Sequence, residues 1–135
     1  MTDVKNDTRN HITHIAIKVM DLEKSLAYYR DVFGYEVINA PWHNGHVSCS
    51  LRGAGINLTL LKYDSEESPE ALYAGTGATI HHIGIESDDL PATAAKLEAA
   101  GCTLLSKPTD TPVKYRAPDG TIAEVIPLGS GRKRM

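Results

Sequence analysis

The sequence lacks the features that mark two large classes of protein, those that span membranes and those that bind nucleic acid. No apolar run in its 135 residues approaches the roughly 20 that a membrane-spanning helix needs, and the first ten residues are polar where a signal peptide would be apolar. The formal net charge is −3 and the pI is near 6.0, with the only basic run in residues 132–134. We therefore expect a cytoplasmic protein that binds neither membrane nor nucleic acid.

Cysteine is also scarce. Cys49 and Cys102 lack the spacing of a metal site and are too few for a disulfide framework, so both are expected to be small buried residues. The length suits one domain of ordinary size, since domains cluster at roughly 100–150 residues.

What the sequence does contain is an internal repeat. The segment His14-Ile15-Ala16-Ile17 returns as His82-Ile83-Gly84-Ile85, and an Asp-Leu pair lies seven residues after each histidine. A duplication of this kind usually places its copies about a pseudo-twofold axis. Equivalent residues of the two copies then converge on one shared cleft.

Each copy shows the same order of predicted elements, which is strand, helix and three strands. Asp21 and Asp89 can cap the helices, and Gly34 and Gly101 can end them. The pattern predicts an α+β fold of two tandem βαβββ modules, at about 11–63 and 79–127, within a single domain at 11–127. The predicted sheet strands after the helices are 35–40, 47–51, 56–61, 103–106, 113–117 and 122–126. A linker with one helical turn is predicted at 62–79. Flexible tails are predicted at 1–10 and 128–135.

Side chains alternate between the two faces of a strand, and this alternation predicts which residues face the cleft. The rule places His14 and His82 on the cleft side of the first strands and Glu124 on the cleft side of the last. Asn57 and Thr59 face the cleft from the last strand of the first module. By the same rule His11 and His81 point the other way and are structural, whereas Glu86 lies solvated at the rim.

Three motifs support a family resemblance over about residues 11–127: "HIAIKVMDLEKSLAYYRDVFGYEV", "HHIGIESDDL" and "APDGTIAEVIP". They resemble the vicinal oxygen chelate superfamily, which includes glyoxalase I, methylmalonyl-CoA epimerase, extradiol dioxygenases and drug-resistance proteins, and they are nearest in look to the glyoxalase I and epimerase branch. The resemblance implies an open cup-shaped mixed sheet with helices outside and one divalent metal ion at its base. It also implies the ligands His14, His82 and Glu124, with a fourth at Asn57 where the family often has Glu or Gln.

The chemistry of these residue types agrees with that implication. Two imidazoles and one carboxylate suit Zn, Ni, Co, Mn or Fe and leave coordination positions open, as a catalytic site requires. A divalent ion with one anionic ligand keeps about one net positive charge and remains a strong Lewis acid. Asn57 would bind through its amide oxygen or leave its place to water.

Other residues are candidates for moving protons or holding the substrate. His43 and His46 lie in a turn between two strands that wall the cup, and either could be a general base near neutral pH. Lys114, Tyr115 and Arg116 share a short strand, so alternation brings either the catalytic candidate Tyr115 or the two cations into the cup. The cations, with Asn57 and Thr59, would suit an anionic small-molecule substrate.

Three functions remain open at this point. The first is enolisation next to a carbonyl, as in glyoxalase-like lyases or isomerases and in epimerases. The second is oxygen activation, because two histidines and a carboxylate also form the facial triad of non-haem iron dioxygenases. The third is a metal-free protein that binds a drug. Relatives of this size commonly assemble as dimers, so we also expect a homodimer.

Overall fold

The computed structural model describes residues 10–39, 41–53, 55–107 and 112–129. The fold is α+β, as predicted. The elements in chain order are β1 (Asn10–Lys18), α1 (Leu22–Phe33), β2 (Glu36–Val37), β3 (Trp42–His43), β4 (His46–Arg52), β5 (Asn57–Tyr63), α2 (Pro69–Leu72), β6 (Thr79–Ser87), α3 (Leu90–Ala99), β7 (Thr103–Leu104), β8 (Val113–Arg116) and β9 (Ile122–Pro127).

The strands form one nine-stranded mixed sheet with the order β2-β4-β5-β1-β6-β9-β8-β7, and β3 pairs with β4 beside this path. When β3 is left out, each module has the same strand order from the outer edge to the centre, which is its second, third, fourth and first strand. β1 pairs with β5 and β6 with β9 in parallel, whereas β1 and β6 meet antiparallel at the centre. The two modules thus join within one chain, and their first strands form the middle of the sheet.

Two β-bulges interrupt the central pairing, one on each strand. Thr13 is the extra residue on β1, and His81 is the extra residue on β6. Both side chains are buried. The register on either side of the bulges is Ile12↔Ile85, His14↔Gly84, Ala16↔His82 and Ile17↔Ile80.

The helices begin and end where the sequence predicts. The side chains of Asp21 and Asp89 accept hydrogen bonds from the backbone of the first turn of α1 and α3, and Gly34 ends α1 with a φ of 75°. The helix α2 is the single turn expected in the linker. Within the described residues, no helix combines the length and apolarity needed to cross a membrane.

The main hydrophobic core lies between α1 and the outer face of the sheet. Leu26 of α1 packs there against buried β-strand residues of the first module. Cys49 belongs to this core, but Cys102 is only half-buried, so the prediction for the second cysteine is wrong. The cluster consists of Val19, Leu26, Cys49, Leu51, Leu58 and Leu60, with Ile15, Ile17, Leu22, Tyr29 and Tyr35 packed against it.

The structure corrects several details at the edges of the predicted elements. The second strands β2 and β7 are only two residues long, and β3 was not expected as a strand. Asn10 belongs to β1, and the Gly129 N–H donates to Glu86 Oε2 over 2.9 Å, so the sheet and its contacts extend into both predicted tails. The remaining predicted tails, 1–9 and 130–135, lie outside the described residues.

Glu86 is fully buried, which contradicts its predicted place at a solvated rim. Its Oε2 atom lies 3.4 Å from His11 Nε2. His11 therefore shares a face with Glu86, because the bulge at Thr13 reverses the alternation for residues before it.

Lys18 fastens the linker to the sheet. Its side chain is completely buried, and its ammonium group donates to the carbonyls of Ala71 and Gly75 over 2.9 and 2.7 Å. Glu66 Oε1 lies 3.8 Å from the same nitrogen. A buried ammonium group is tolerated only when such partners replace water, so this contact fixes where the α2 turn lies.

We predict that Lys18→Met lowers the free energy of unfolding by roughly 1.5–3 kcal/mol, because it removes charge-assisted hydrogen bonds and deprives the buried Ala71 carbonyl of this donor. Urea unfolding followed by circular dichroism measures the change. Lys24→Met, on the exposed surface of α1, is the control and should stay within about 0.5 kcal/mol of the wild type. Equal losses in both variants would show that Lys18 does not hold the linker.

Candidate active site

His14, His82 and Glu124 come together at the centre of the sheet, on β1, β6 and β9. All three are buried, and one ligand atom from each lies within 4.8 Å of the others. His14 Nε2 is 3.5 Å from Glu124 Oε1, and His82 Nε2 is 3.2 Å from Glu124 Oε2. The sheet register explains the convergence, since Gly84 pairs with both His14 and Glu124.

The donor atoms fit a divalent metal ion. Glu124 Oε1 is buried without a hydrogen-bond partner among the described residues, which is costly unless a cation completes the site. Burial alone would raise the pKa of the Glu124 carboxyl. The hydrogen bond from His82 and the charges of His82, Lys114 and His14 instead hold it well below its ordinary range. An ionised carboxylate with two imidazole nitrogens is a donor set for first-row transition metals.

The two bulge residues contact the outer nitrogens of the two histidines. Thr13 Oγ1 lies 3.1 Å from His14 Nδ1, and His81 Nδ1 lies 2.8 Å from His82 Nδ1. Burial lowers the pKa of His81 to about 4, so this ring is neutral at pH 7. The predicted outward orientation of His81 is wrong, because the bulge turns it to the same side as His82.

Small residues make room for the histidine rings. A Cβ atom at Gly84 would overlap the Cε1, Nδ1 and Nε2 atoms of His14. Ala16 is the counterpart of Gly84 in the first module and pairs with His82. The rings of the two histidines meet edge to face, with centroids 5.6 Å apart.

A cavity of about 640 Å³ opens above the trio. Of the residues proposed from the sequence as catalytic or substrate-binding, His46, Thr59 and Lys114 line it. Its lining residues are His14, Asn39, Trp42, Asn44, His46, Ser48, Ser50, Thr59, Leu61, Tyr63, Glu70, His82, Pro112, Lys114 and Glu124.

The register moves the expected fourth ligand position from Asn57 to Thr59. Glu124 pairs with Gly84, two residues after His82, and the equivalent pair in the first module is Ala16 with Thr59. Asn57 instead lies opposite His14 and is absent from the cavity lining given above. The first module therefore contributes a neutral hydroxyl at the position where the second contributes a carboxylate.

Three other predicted residues lie away from the cavity. Tyr115 is buried on the opposite face of β8, where burial, with Glu98 and Cys102, raises the pKa of its hydroxyl, so the structure corrects its assignment as a catalytic group. Arg116 donates to the carbonyls of Gly120 and Tyr73, which occupies the guanidinium with structural contacts. His43 is exposed at the rim.

His43 also has a partner, because its Nε2 atom lies 2.8 Å from Asp64 Oδ2. His46 differs in both respects. It lines the cavity, and its buried Nδ1 atom has no hydrogen-bond partner among the described residues. Of these two histidines, only His46 belongs to the cavity wall described above.

Lys114 is the cation that faces the cavity. Its ammonium nitrogen lies 3.3 Å from Glu124 Oε2 and 3.4 Å from Glu70 Oε1, and its side chain is 11% exposed. The alternation along β8 therefore brings Lys114 inward and Tyr115 outward, which resolves the choice that the sequence leaves open.

The family model of the Glyoxalase/Bleomycin resistance protein/Dioxygenase superfamily matches residues 11–125. Among curated proteins, the mitochondrial methylmalonyl-CoA epimerase of Homo sapiens is 33% identical over 100 residues, which are 71% of this chain and 57% of that protein. The ethylmalonyl-CoA/methylmalonyl-CoA epimerase of Cereibacter sphaeroides is 34% identical over 99 residues, or 70% of this chain and 73% of that protein. The match thus spans little more than half the length of the human enzyme.

Solved structures with the same fold include the methylmalonyl-CoA epimerase of Mycobacterium tuberculosis, with a TM-score of 0.69 and 20% identity over 92% of this chain and 91% of that one. A methylmalonyl-CoA epimerase in complex with methylmalonyl-CoA and NH4+ gives a TM-score of 0.70 with 23% identity, over 91% of this chain and 97% of that one. At these identities the likeness concerns the fold.

We predict that Gly84→Ala weakens divalent metal binding on the order of 10–100-fold, because the added methyl group must displace the ring of His14. Competition with a chromophoric chelator measures the affinity. Gly55→Ala is the matched control, since nothing lies within 4 Å of a Cβ atom there. If both variants bind metal as tightly as the wild type, His14 is not a ligand.

Proposed function

Because the chain belongs to the Glyoxalase/Bleomycin resistance protein/Dioxygenase superfamily, we propose that it is a metal-dependent epimerase that forms an enolate next to the carbonyl of a small acyl thioester. The observation that carries the proposal is the buried trio of His14, His82 and Glu124 below a cavity of about 640 Å³. The curated relatives named as epimerases of methylmalonyl-CoA support the choice of reaction.

His14, His82 and Glu124 would hold the metal ion. When bound, such an ion supplies Lewis-acid stabilisation for negative charge that develops on a carbonyl oxygen. Thr59 adds no charge to the site. The trio therefore provides a single carboxylate, and the net positive charge that favours an enolate is retained.

His46 is the proposed general base. Burial lowers the pKa of its imidazole, an effect that Lys114 and His43 add to and that Glu70 and Asp64 oppose. The ring is therefore mainly neutral at pH 7 and, as part of the cavity wall, is placed to accept a proton from a substrate. The carbon–hydrogen bond next to the carbonyl breaks, its electron pair moves into the enolate, and the proton goes to His46. A proton from solvent in the cavity, delivered to the other face of the enolate, inverts the carbon, and His46 then releases its own proton to solvent.

Lys114 is the proposed anchor for a carboxylate of the substrate. It lies on β8, and His46 lies on β4, which is the corresponding strand of the other module. A substrate between these walls would place its anionic group near the ammonium and its acidic carbon near the imidazole. In a malonyl-type thioester with a methyl or ethyl branch, the acidic carbon itself carries the carboxylate, so the two features lie next to each other.

The experiment that tests the function follows exchange at that carbon. We predict that the metal-loaded protein, incubated without oxygen in deuterated water with a methylmalonyl or ethylmalonyl thioester, incorporates deuterium next to the carbonyl and interconverts the epimers. Mass spectrometry and chiral analysis measure the two events. Glu124→Ala should abolish both together with stoichiometric metal binding.

Absence of exchange with the metal-loaded wild type contradicts the epimerase. The facial arrangement of two histidines and a carboxylate also suits oxygen activation by iron. Oxygen consumption by the iron-loaded protein with a catechol-like substrate, in a sample without exchange activity, would replace the proposal with a dioxygenase.

A pH profile tests the base. We predict that kcat/KM rises with pH through a pKa below 6.5, since the neutral imidazole is the active form and burial lowers the pKa of His46. His46→Gln should lose about 10²–10⁴-fold in kcat and also lose this acid limb. His43→Gln, at the exposed rim, is the control and should keep both. An unchanged profile in His46→Gln would assign the proton transfer to another group.

A further inference from the structure

The two residues that the bulges insert, Thr13 and His81, each precede a histidine of the trio and contact its Nδ1 atom. We propose that they are positioning residues which hold His14 and His82 in the single ring tautomer that can bind a metal, and that His81 connects this site to the α2 turn. The inference rests on the metal site proposed above. It concerns groups that do not themselves touch the metal or the substrate.

The tautomer of His82 follows from a carbonyl that can only accept hydrogen bonds. Glu70 O lies 2.7 Å from His81 Nε2, and a carbonyl only accepts, so His81 Nε2 carries a hydrogen. His81 Nδ1 lies 2.8 Å from His82 Nδ1, so a hydrogen bond between these two atoms needs one donor and one acceptor. When His82 binds a metal ion through Nε2, the atom that faces Glu124, the only hydrogen of its ring is on Nδ1. His82 then donates from Nδ1 and His81 Nδ1 accepts.

The tautomer of His14 follows by the same reasoning in the other module. Thr13 Oγ1 donates to the carbonyl of Gly84 over 3.3 Å, so the hydroxyl offers a lone pair to His14 Nδ1 at 3.1 Å. A His14 ring that binds a metal ion through Nε2, the atom near Glu124, accordingly donates from Nδ1 to this hydroxyl. Both bulges thus produce the same arrangement with different side chains.

The hydrogen bonds of His81 reach the α2 turn in the linker, whereas those of Thr13 stay within the sheet. Glu70 belongs to α2, which Ser68 caps and which Lys18 holds through the Ala71 carbonyl. Tyr63 also borders His81, with its hydroxyl oxygen 3.3 Å from Nε2. The position of the α2 turn therefore decides where the acceptor for His81 lies, and through it how His82 is oriented.

Substitutions at His81 separate hydrogen bonding from packing. His81→Phe keeps a ring but removes the acceptor for His82, and we expect metal affinity to fall about 10–100-fold. His81→Asn can place its amide oxygen near the former Nδ1 position, so it should recover most of the affinity. In the other module, Thr13→Val and Thr13→Ser form the equivalent pair. Chelator competition gives the affinities, and urea unfolding reports whether each variant is folded.

The decisive measurement is the ring tautomer itself, read from nitrogen-15 NMR correlations of the histidine rings with and without zinc. In the wild type, His82 should carry its hydrogen on Nδ1 in the zinc-bound state, and His81 should carry its own on Nε2 in both states. His81→Phe should give a mixture of tautomers at His82 in the neutral, metal-free ring, and His81→Asn should restore the wild-type form.

Two results would overturn the inference. One is a folded His81→Phe variant that binds zinc as tightly as the wild type. The other is weaker binding with the His82 tautomer unchanged, which would make His81 a packing residue only. If the wild type binds no metal, the proposed function fails separately, and the tautomers of the metal-free protein still decide the role of His81.

Discussion

The antiparallel pairing of β1 with β6 is the interaction on which the site depends. It joins the two modules within one chain and sets His14 and His82 side by side across the centre of the sheet. The parallel partner β9 then brings Glu124 to the same point. One extra residue on each central strand adds a hydrogen-bonding neighbour for each histidine. A shift of this pairing by one residue would turn every one of these side chains to the other face.

The fold could be predicted from the sequence because its signals are local and are repeated. A histidine-led strand start, a capping aspartate and a terminating glycine each act within a few residues, and their second appearance excludes coincidence. Bulges have no such signal. Thr13 and His81 are extra residues because the opposite strand has no residue that pairs with either of them, and one strand's sequence does not show this. For that reason alternation gave the right face for His14 and His82 but the wrong face for His81 and His11.

The candidate site was predictable to a smaller extent. Predicting the trio required only the alternation of side chains along three strands, and all three side chains lie on the predicted side. The fourth position required the register of β1 with β5, which the sequence does not contain, and the register favours Thr59 over Asn57. The place of His43 depended on a contact that no sequence spacing indicates. His43, at the end of β3, pairs at the rim with Asp64, the residue after β5.

The two modules share a backbone arrangement, but only one of them has charged side chains at the equivalent positions around the site. At equivalent places the second module has Gly84, Glu124 and Lys114 in register, and the first has Ala16, Thr59 and Ser50. All of the charge in this layer therefore comes from one half of the sheet. A symmetric pair of carboxylates would neutralise a divalent ion and repel an anionic substrate from both sides. With one neutral half, the ion keeps positive charge and the ammonium of Lys114 can face an anion. The opposite wall is left free for the uncharged imidazole that the proposed reaction needs.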